Sequence, residues 1–283
     1  MDIVVISSIL GIGSLGLLFG ASLAYASKKF AVEVDPKIEA ILEKLPGANC
    51  GGCGYPGCSG YAEAVVKSGA QMTLCSPGGD AVVNDIADIL GVTAAATGEK
   101  KVAVVQCRGN NEKAPKRFHY AGITDCHAAQ ILMGGDKACV YGCLGYGTCV
   151  ESCPFGAMKM GDYGLPIVIE EKCTACGMCV SACPRGIMKL IPVSQKIFLG
   201  CISQDKGKAV KQVCKVGCTA CTLCANPKTT PSGSIQMKGN LPEILNIKAD
   251  DLANAVEKCP TKSFSVREIN ELQSASLQSE EVS

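Results

Sequence analysis

The chain has 283 residues, with twenty cysteines, no tryptophan and only 5% aromatic residues. That length allows one to three domains, and a core so poor in large side chains needs staples, a role metal centres can fill. A formal net charge of +1 excludes strong steering of the whole chain toward nucleic acid or acidic surfaces.

The first element is an uncharged run from Ile3 to Ser27. At 1.5 Å per residue it can cross a bilayer core of about 30 Å. A cleavable signal peptide is the rival, since Ala24-Tyr25-Ala26 mimics a cleavage site, but the chain opens Met1-Asp2 where a positive region is needed. A transmembrane anchor is the expectation. Lys28 and Lys29 place the body on the cytoplasmic side, and Gly16, Gly20 and Ala24 form a small-residue face for a membrane partner. Gly11-Ile12-Gly13-Ser14-Leu15-Gly16 matches G-x-G-x-x-G, but it lies inside the span and outside any βαβ unit, so it marks no nicotinamide site.

Pro36 to Leu45 reads as a helix and leads into PGANCGGCGYPGCSG. Cys50, Cys53 and Cys58 are spaced C-x2-C-x4-C. A short amphipathic helix, YAEAVVKSG, then brings Cys75 back, and the surrounding glycines let the backbone fold closely. These four make a complete cluster set, with zinc as the alternative. Asp80 to Leu90 is a further amphipathic helix, and TAAATGEKK reads as a linker. Val102 to Val105 is a short strand ending at Cys107, followed by Cys126 in ITDCHAAQ.

Cys139 to Pro184 is the most informative stretch. It contains C-x3-C-x5-C-x3-C-P and then C-x2-C-x2-C-x3-C-P. The second run is the bacterial ferredoxin pattern, and the first is that pattern with two short insertions. In such pairs, three thiolates hold one [4Fe–4S] cluster and the fourth cysteine of each run ligates the other cluster. The expected sets are Cys139, Cys143, Cys149 with Cys183, and Cys173, Cys176, Cys179 with Cys153. Zinc favours two separated C-x2-C pairs, and disulfides conflict with motifs that need reduced thiolates. The pattern implies electron transfer in a reducing compartment.

Lys196 to Leu199 is a second short strand, ending at Cys201, with Cys214 beyond it. The parallel with Val102 to Cys126 suggests two pseudo-equivalent strand-loop units. If the strands at 102–105 and 196–199 pair, Cys107, Cys126, Cys201 and Cys214 could hold a fifth cluster; the alternative is four buried structural thiols. Cys218, Cys221 and Cys224 repeat C-x2-C-x2-C, and Cys259-Pro260 supplies the remote fourth ligand, with Cys214 as its rival. His119 and His127 read as ordinary residues. No catalytic triad, paired-carboxylate site or Ser-Gly-Ala-Thr flavin attachment signal stands out. The tail from Glu268 is polar, and its composition is that of a disordered segment.

The fold class expected is α+β, with domains at 1–30 (transmembrane anchor), 31–95 (four-Cys iron–sulfur domain), 96–267 (polyferredoxin-like region, its two-cluster module at 138–192) and 268–283 (polar tail). The cofactors expected are five [4Fe–4S] clusters using all twenty cysteines.

The span running into AYASKKFAVEVDPKIEAILEKLPGANCGGCGYPGC, followed by a two-cluster ferredoxin module, resembles the B-type subunit of the Rnf electron-transport complex. The resemblance covers nearly the whole chain. It implies the iron–sulfur subunit of a complex that oxidises ferredoxin, reduces NAD⁺ and translocates sodium or protons. Soluble ferredoxin and other membrane subunits are the implied partners, with no nucleic acid, at a bacterial inner membrane. The chain is then an enzyme subunit with no substrate-converting site of its own. A subunit of another membrane oxidoreductase, such as a hydrogenase-linked complex, and a zinc-stapled adaptor are the alternatives.

Overall fold

The computed structural model describes residues 3–30, 35–94 and 98–267; the polar tail and the middle of the linker lie outside these. Helix α1 (Ile3–Lys29) contains a segment, Ser7–Lys29, long and apolar enough to cross a membrane, with mean hydropathy 1.8 and none of it buried. Every cysteine lies beyond it. Deleting residues 1–27 is therefore expected to release a soluble protein with unchanged iron content. Loss of most iron from an anaerobically prepared truncation would show that the span supports the fold.

A three-helix unit follows. Asp35 caps α2 (Pro36–Lys44) by accepting from the Lys37 amide at 2.9 Å, with Pro36 at the first helical position. Helices α3 (Gly57–Ser68) and α4 (Gly79–Leu90) both end on a left-handed glycine, Gly69 and Gly91. Their apolar faces meet at Ile38, Ile41, Tyr61, Val65 and Ile86, with Cys53, Cys58 and Cys75 packed at the edge.

The rest is built from four two-stranded antiparallel sheets. Strand β1 (Lys101–Val105) leads to the short helices α5 (Cys126–Ile131) and α6 (Thr148–Glu151). Strands β2 (Met158–Met160) and β3 (Pro166–Val168) form a hairpin, followed by α7 (Met178–Ser181) and β4 (Met188–Pro192). Then come β5 (Ile197–Leu199), α8 (Gly207–Val213), the hairpin of β6 (Ile235–Lys238) and β7 (Leu241–Ile244), α9 (Leu252–Lys258) and β8 (Phe264–Val266). Isolated two-stranded ribbons are marginal in water, so these depend on what they cover.

The expected pairing of 102–105 with 196–199 is not what forms. β1 pairs with β4, Val102 opposite Ile191, and β5 pairs with β8, Phe198 opposite Ser265. The reason is burial. Val102, Ala103 and Val104 join Met188 and Ile191 in the core of the central module, which removes more apolar surface from water than a free ribbon could. The two strand ends still meet, because the Arg108 amide donates to Gly200 O at 3.2 Å. Arg267 then ties the last strand to the module. Its guanidinium reaches the Glu170 carboxylate at 2.7 Å and the Gln195 carbonyl at 3.0 Å.

Candidate metal centres

The cysteines gather into five groups of four. Cys50, Cys53 and Cys58 lie on the glycine-rich entry to α3, and Cys75 faces them from the turn before α4. Burial, and then the nearby Cys58, Cys50 and Cys53, push the Cys75 thiol up. Asn49, itself at φ 46, accepts from the Cys58 amide at 2.8 Å.

Cys153, Cys173, Cys176 and Cys179 line one cavity of the central module. Two amides point at its sulfurs: Ala103 N–H to Cys173 Sγ at 3.5 Å and Ala157 N–H to Cys153 Sγ at 3.3 Å. Cys218, Cys221, Cys224 and Cys259 line another.

The remaining eight divide differently from the expectation. Cys126, Cys143, Cys149 and Cys183 line one cavity, and Cys107, Cys139, Cys201 and Cys214 another. Cys126 and Cys139 have thus exchanged places relative to the ferredoxin reading. Two local interactions cause the exchange. Gly142 N–H donates back to Cys139 O at 3.0 Å, and Arg185 holds that same carbonyl at 3.0 Å, so the turn swings Cys139 toward Cys107. Cys126 is drawn in instead by Thr148, whose hydroxyl oxygen accepts from the Cys126 amide at 2.8 Å and donates to Asp125 at 2.8 Å. The departure of Cys139-x3-Cys143 from C-x2-C spacing was the sequence signal for this.

Internal repetition supports a common purpose. Each Cys-Pro sulfur accepts the amide four residues on: Ala157 to Cys153 at 3.3 Å, Ile187 to Cys183 at 3.4 Å and Ser263 to Cys259 at 3.3 Å. The two Cys-Thr-Ala-Cys loops place Ala175 and Ala220 at φ 56 and 55, a left-handed conformation that non-glycine residues rarely adopt.

The donor chemistry fits iron–sulfur clusters. Each cavity presents four thiols, and glycines leave the room that a side chain would fill. A Cβ on Gly109 would stand 3.2 Å from Cys214 Sγ and 3.7 Å from Cys107 Sγ. Among the described residues, no three His, Cys, Asp or Glu side chains converge tightly enough for a single metal ion. Burial, reinforced by neighbouring thiols, pushes Cys143 and Cys179 up to about 12, and Cys149 and Cys224 to about 11. Thiolates here need positive charge from a bound metal. Cys259 goes the other way, because hydrogen bonds from Ser263 and Thr261 outweigh its burial.

The five groups also stand in sequence. Gly52 of the first abuts the Cys176 carbonyl of the second; a Cβ there would lie 2.1 Å from that oxygen. Helices α6 and α7 pack together and bring Cys149 beside Cys179. The Cys143 amide donates to Cys107 Sγ at 3.4 Å. The Cys218 amide faces the Cys201 thiol.

Two family models match the chain. Residues 45–77 match the family described as "Putative Fe-S cluster", and residues 137–188 match the 4Fe-4S dicluster domain. The class is therefore an iron–sulfur protein with ferredoxin-type domains. Over 267 residues the chain is 43% identical to the B-type subunit of the ion-translocating oxidoreductase complex of Methanosarcina acetivorans, covering 94% of this chain and 100% of the relative. It is 47% identical over 250 residues to the B-type subunit of the proton-translocating ferredoxin:NAD(+) oxidoreductase complex of Clostridium ljungdahlii, 87% of each chain. A third relative, the Na(+)-translocating counterpart in Acetobacterium woodii, is 44% identical over 254 residues, 90% of this chain and 75% of the relative. The chain belongs to this family, the B-type subunits of ion-translocating oxidoreductase complexes.

Proposed function

We propose that this chain is the iron–sulfur electron-transfer subunit of a membrane-bound, ion-translocating ferredoxin:NAD⁺ oxidoreductase, and that its five cysteine groups hold five [4Fe–4S] clusters in line. The observation that carries this reading is the arrangement of all twenty cysteines as five adjoining groups of four. When bound, such clusters supply one-electron chemistry at potentials set by ligation, hydrogen bonds to sulfur and exposure. The chain's own residues fix the order of the groups, shield the sulfurs and hold them with amide donors.

The two ends of the line differ. The Cys50 group is the first in the chain after the helix fit to cross a membrane, which supports placing it at the membrane with the body on the cytoplasmic side. The Cys218 group is at the other end and carries Cys221, the one exposed cysteine. Exposed lysines, among them Lys206, Lys228, Lys258 and Lys262, stand on the segments framing it. A basic surface around an exposed group suits an acidic soluble electron donor, which supports ferredoxin docking at this end.

The test is the rate at which reduced ferredoxin reduces the anaerobically purified chain at low salt. Lys228→Glu with Lys262→Glu is expected to slow it roughly tenfold, with dithionite reduction and iron content unchanged. An unaltered rate would place the donor elsewhere. No reduction of the unmodified protein by ferredoxin would refute the function itself.

A further inference from the structure

Two cations lie between the Cys126/Cys143/Cys149/Cys183 cavity and the Cys107/Cys139/Cys201/Cys214 cavity. Arg185 lines the first. From there it donates to the carbonyls of Cys139 and Gly142, both residues that line the second, and to Gln130 Oε1 at 2.8 Å. Lys137 is fully buried and donates to Asn111 Oδ1 at 3.2 Å. Among the described residues neither cation has a carboxylate within ion-pair distance; the adjacent Asp136 is taken by Lys116 at 2.8 Å and by Tyr146 at 2.8 Å.

A charge removed from water without a counterion is costly. The negative groups within reach of Lys137 are first the sulfurs of Cys107 and Cys143, one from each cavity, and only then Asp136; those of Arg185 are Cys139, Cys143 and Cys107. The larger part of the counter-charge is therefore the pair of thiolate sets on either side. The cavities of the Cys173 and Cys218 groups have no lysine or arginine in their walls. Arg108 does border the second cavity, but its guanidinium is spent on the Lys262 and Phe264 carbonyls at the far side.

We propose that Lys137 and Arg185 are potential-setting residues: a positive partition that makes the two groups it separates easier to reduce than the Cys173 and Cys218 groups on either side of them. A group gains negative charge on reduction, and a nearby cation favours the more negative state. Electrons would thus favour the third and fourth positions over the second and fifth. The inference rests on the reading that these cysteines hold clusters.

The test is an EPR-monitored redox titration of the full chain, purified anaerobically, alongside iron analysis. Lys137→Met should keep the iron and lower two midpoints; Arg185→Met should lower the same two in the protein that keeps its iron, since Arg185 also holds the Cys139 turn. The expected shift is a roughly tenfold fall in the reduced-to-oxidised ratio at fixed poise, or about 59 mV for one electron. Arg185→Lys keeps the charge and should keep the midpoints. Unmoved midpoints with full iron would overturn the proposal. So would equal shifts in Arg185→Lys and Arg185→Met, or loss of iron in Lys137→Met, since these would make the residues braces rather than charges. An unmodified chain without iron or EPR signal would instead refute the cluster reading beneath it.

Discussion

Replacing Cys107 and Cys139 together with alanine is expected to remove the same iron as replacing either alone. The two line one cavity with Cys201 and Cys214, so both variants should fall from about twenty irons to about sixteen, at four per cubane. Replacing Cys107 and Cys126 together should instead remove about eight, because Cys126 lines the neighbouring cavity. The sequence reading leaves Cys126 with Cys107 once the spaced motifs are assigned, and predicts the reverse result. Iron and acid-labile sulfide analysis of the anaerobic proteins separates the two partitions. A loss of about four irons from the Cys107/Cys126 pair would restore the partition based on spacing.

The second large effect is expected at Gly52. Its Cα hydrogens face the Cys176 carbonyl so closely that a Cβ would fall 2.1 Å from the oxygen and 3.0 Å from the carbonyl carbon. Both atoms are backbone, so neither loop can yield by turning a side chain. Gly52→Val should therefore push the Cys50 group away from the Cys176 group without removing a single cysteine. Iron content is expected to stay near that of the unmodified chain. Reduction of the Cys50 group should slow by at least roughly tenfold when electrons are supplied at the far end, a change of about 1.4 kcal/mol in barrier. Rapid-freeze EPR following dithionite-free reduction by ferredoxin would reveal the delay. Unchanged kinetics would mean that this contact does not set the distance between the two groups.

Much of the centre was legible in the sequence because ligand spacing is a local property. The Cys173, Cys176, Cys179 run and its crossed partner Cys153 line one cavity as the ferredoxin pattern implies, and Cys218, Cys221, Cys224 and Cys259 line another. The helices at 36–44, 57–68 and 79–90 follow apolar periodicity and capping, which are local as well. The exchange of Cys126 and Cys139 left only the x3 spacing of Cys139 and Cys143 as a trace, because it depends on Arg185 and Thr148, which lie far along the chain from the cysteines they redirect. The strand partners were hidden for a similar reason. Val102 to Val104 could have met any apolar ribbon, and only the depth of the module's core selects β4. Glycine's role at positions 52 and 109 is invisible without knowing what approaches.

The groups differ in how much chain they enclose, and that difference bears on how the protein is made. The Cys50 group closes within residues 50–75, and the Cys218 group within 218–259. The group of Cys107, Cys139, Cys201 and Cys214 draws on four separate stretches, so its loop-closure entropy is met only after the elements between them have folded. A ribosome delivering this chain from its N-terminus exposes the Cys50 group whole while the later cysteines are still unsynthesised. Loading can begin there, and the Cys107 group must wait for residue 214. It is the keystone: the last stone of the central arch, closed only once the chain from Cys107 through Cys214 has been delivered.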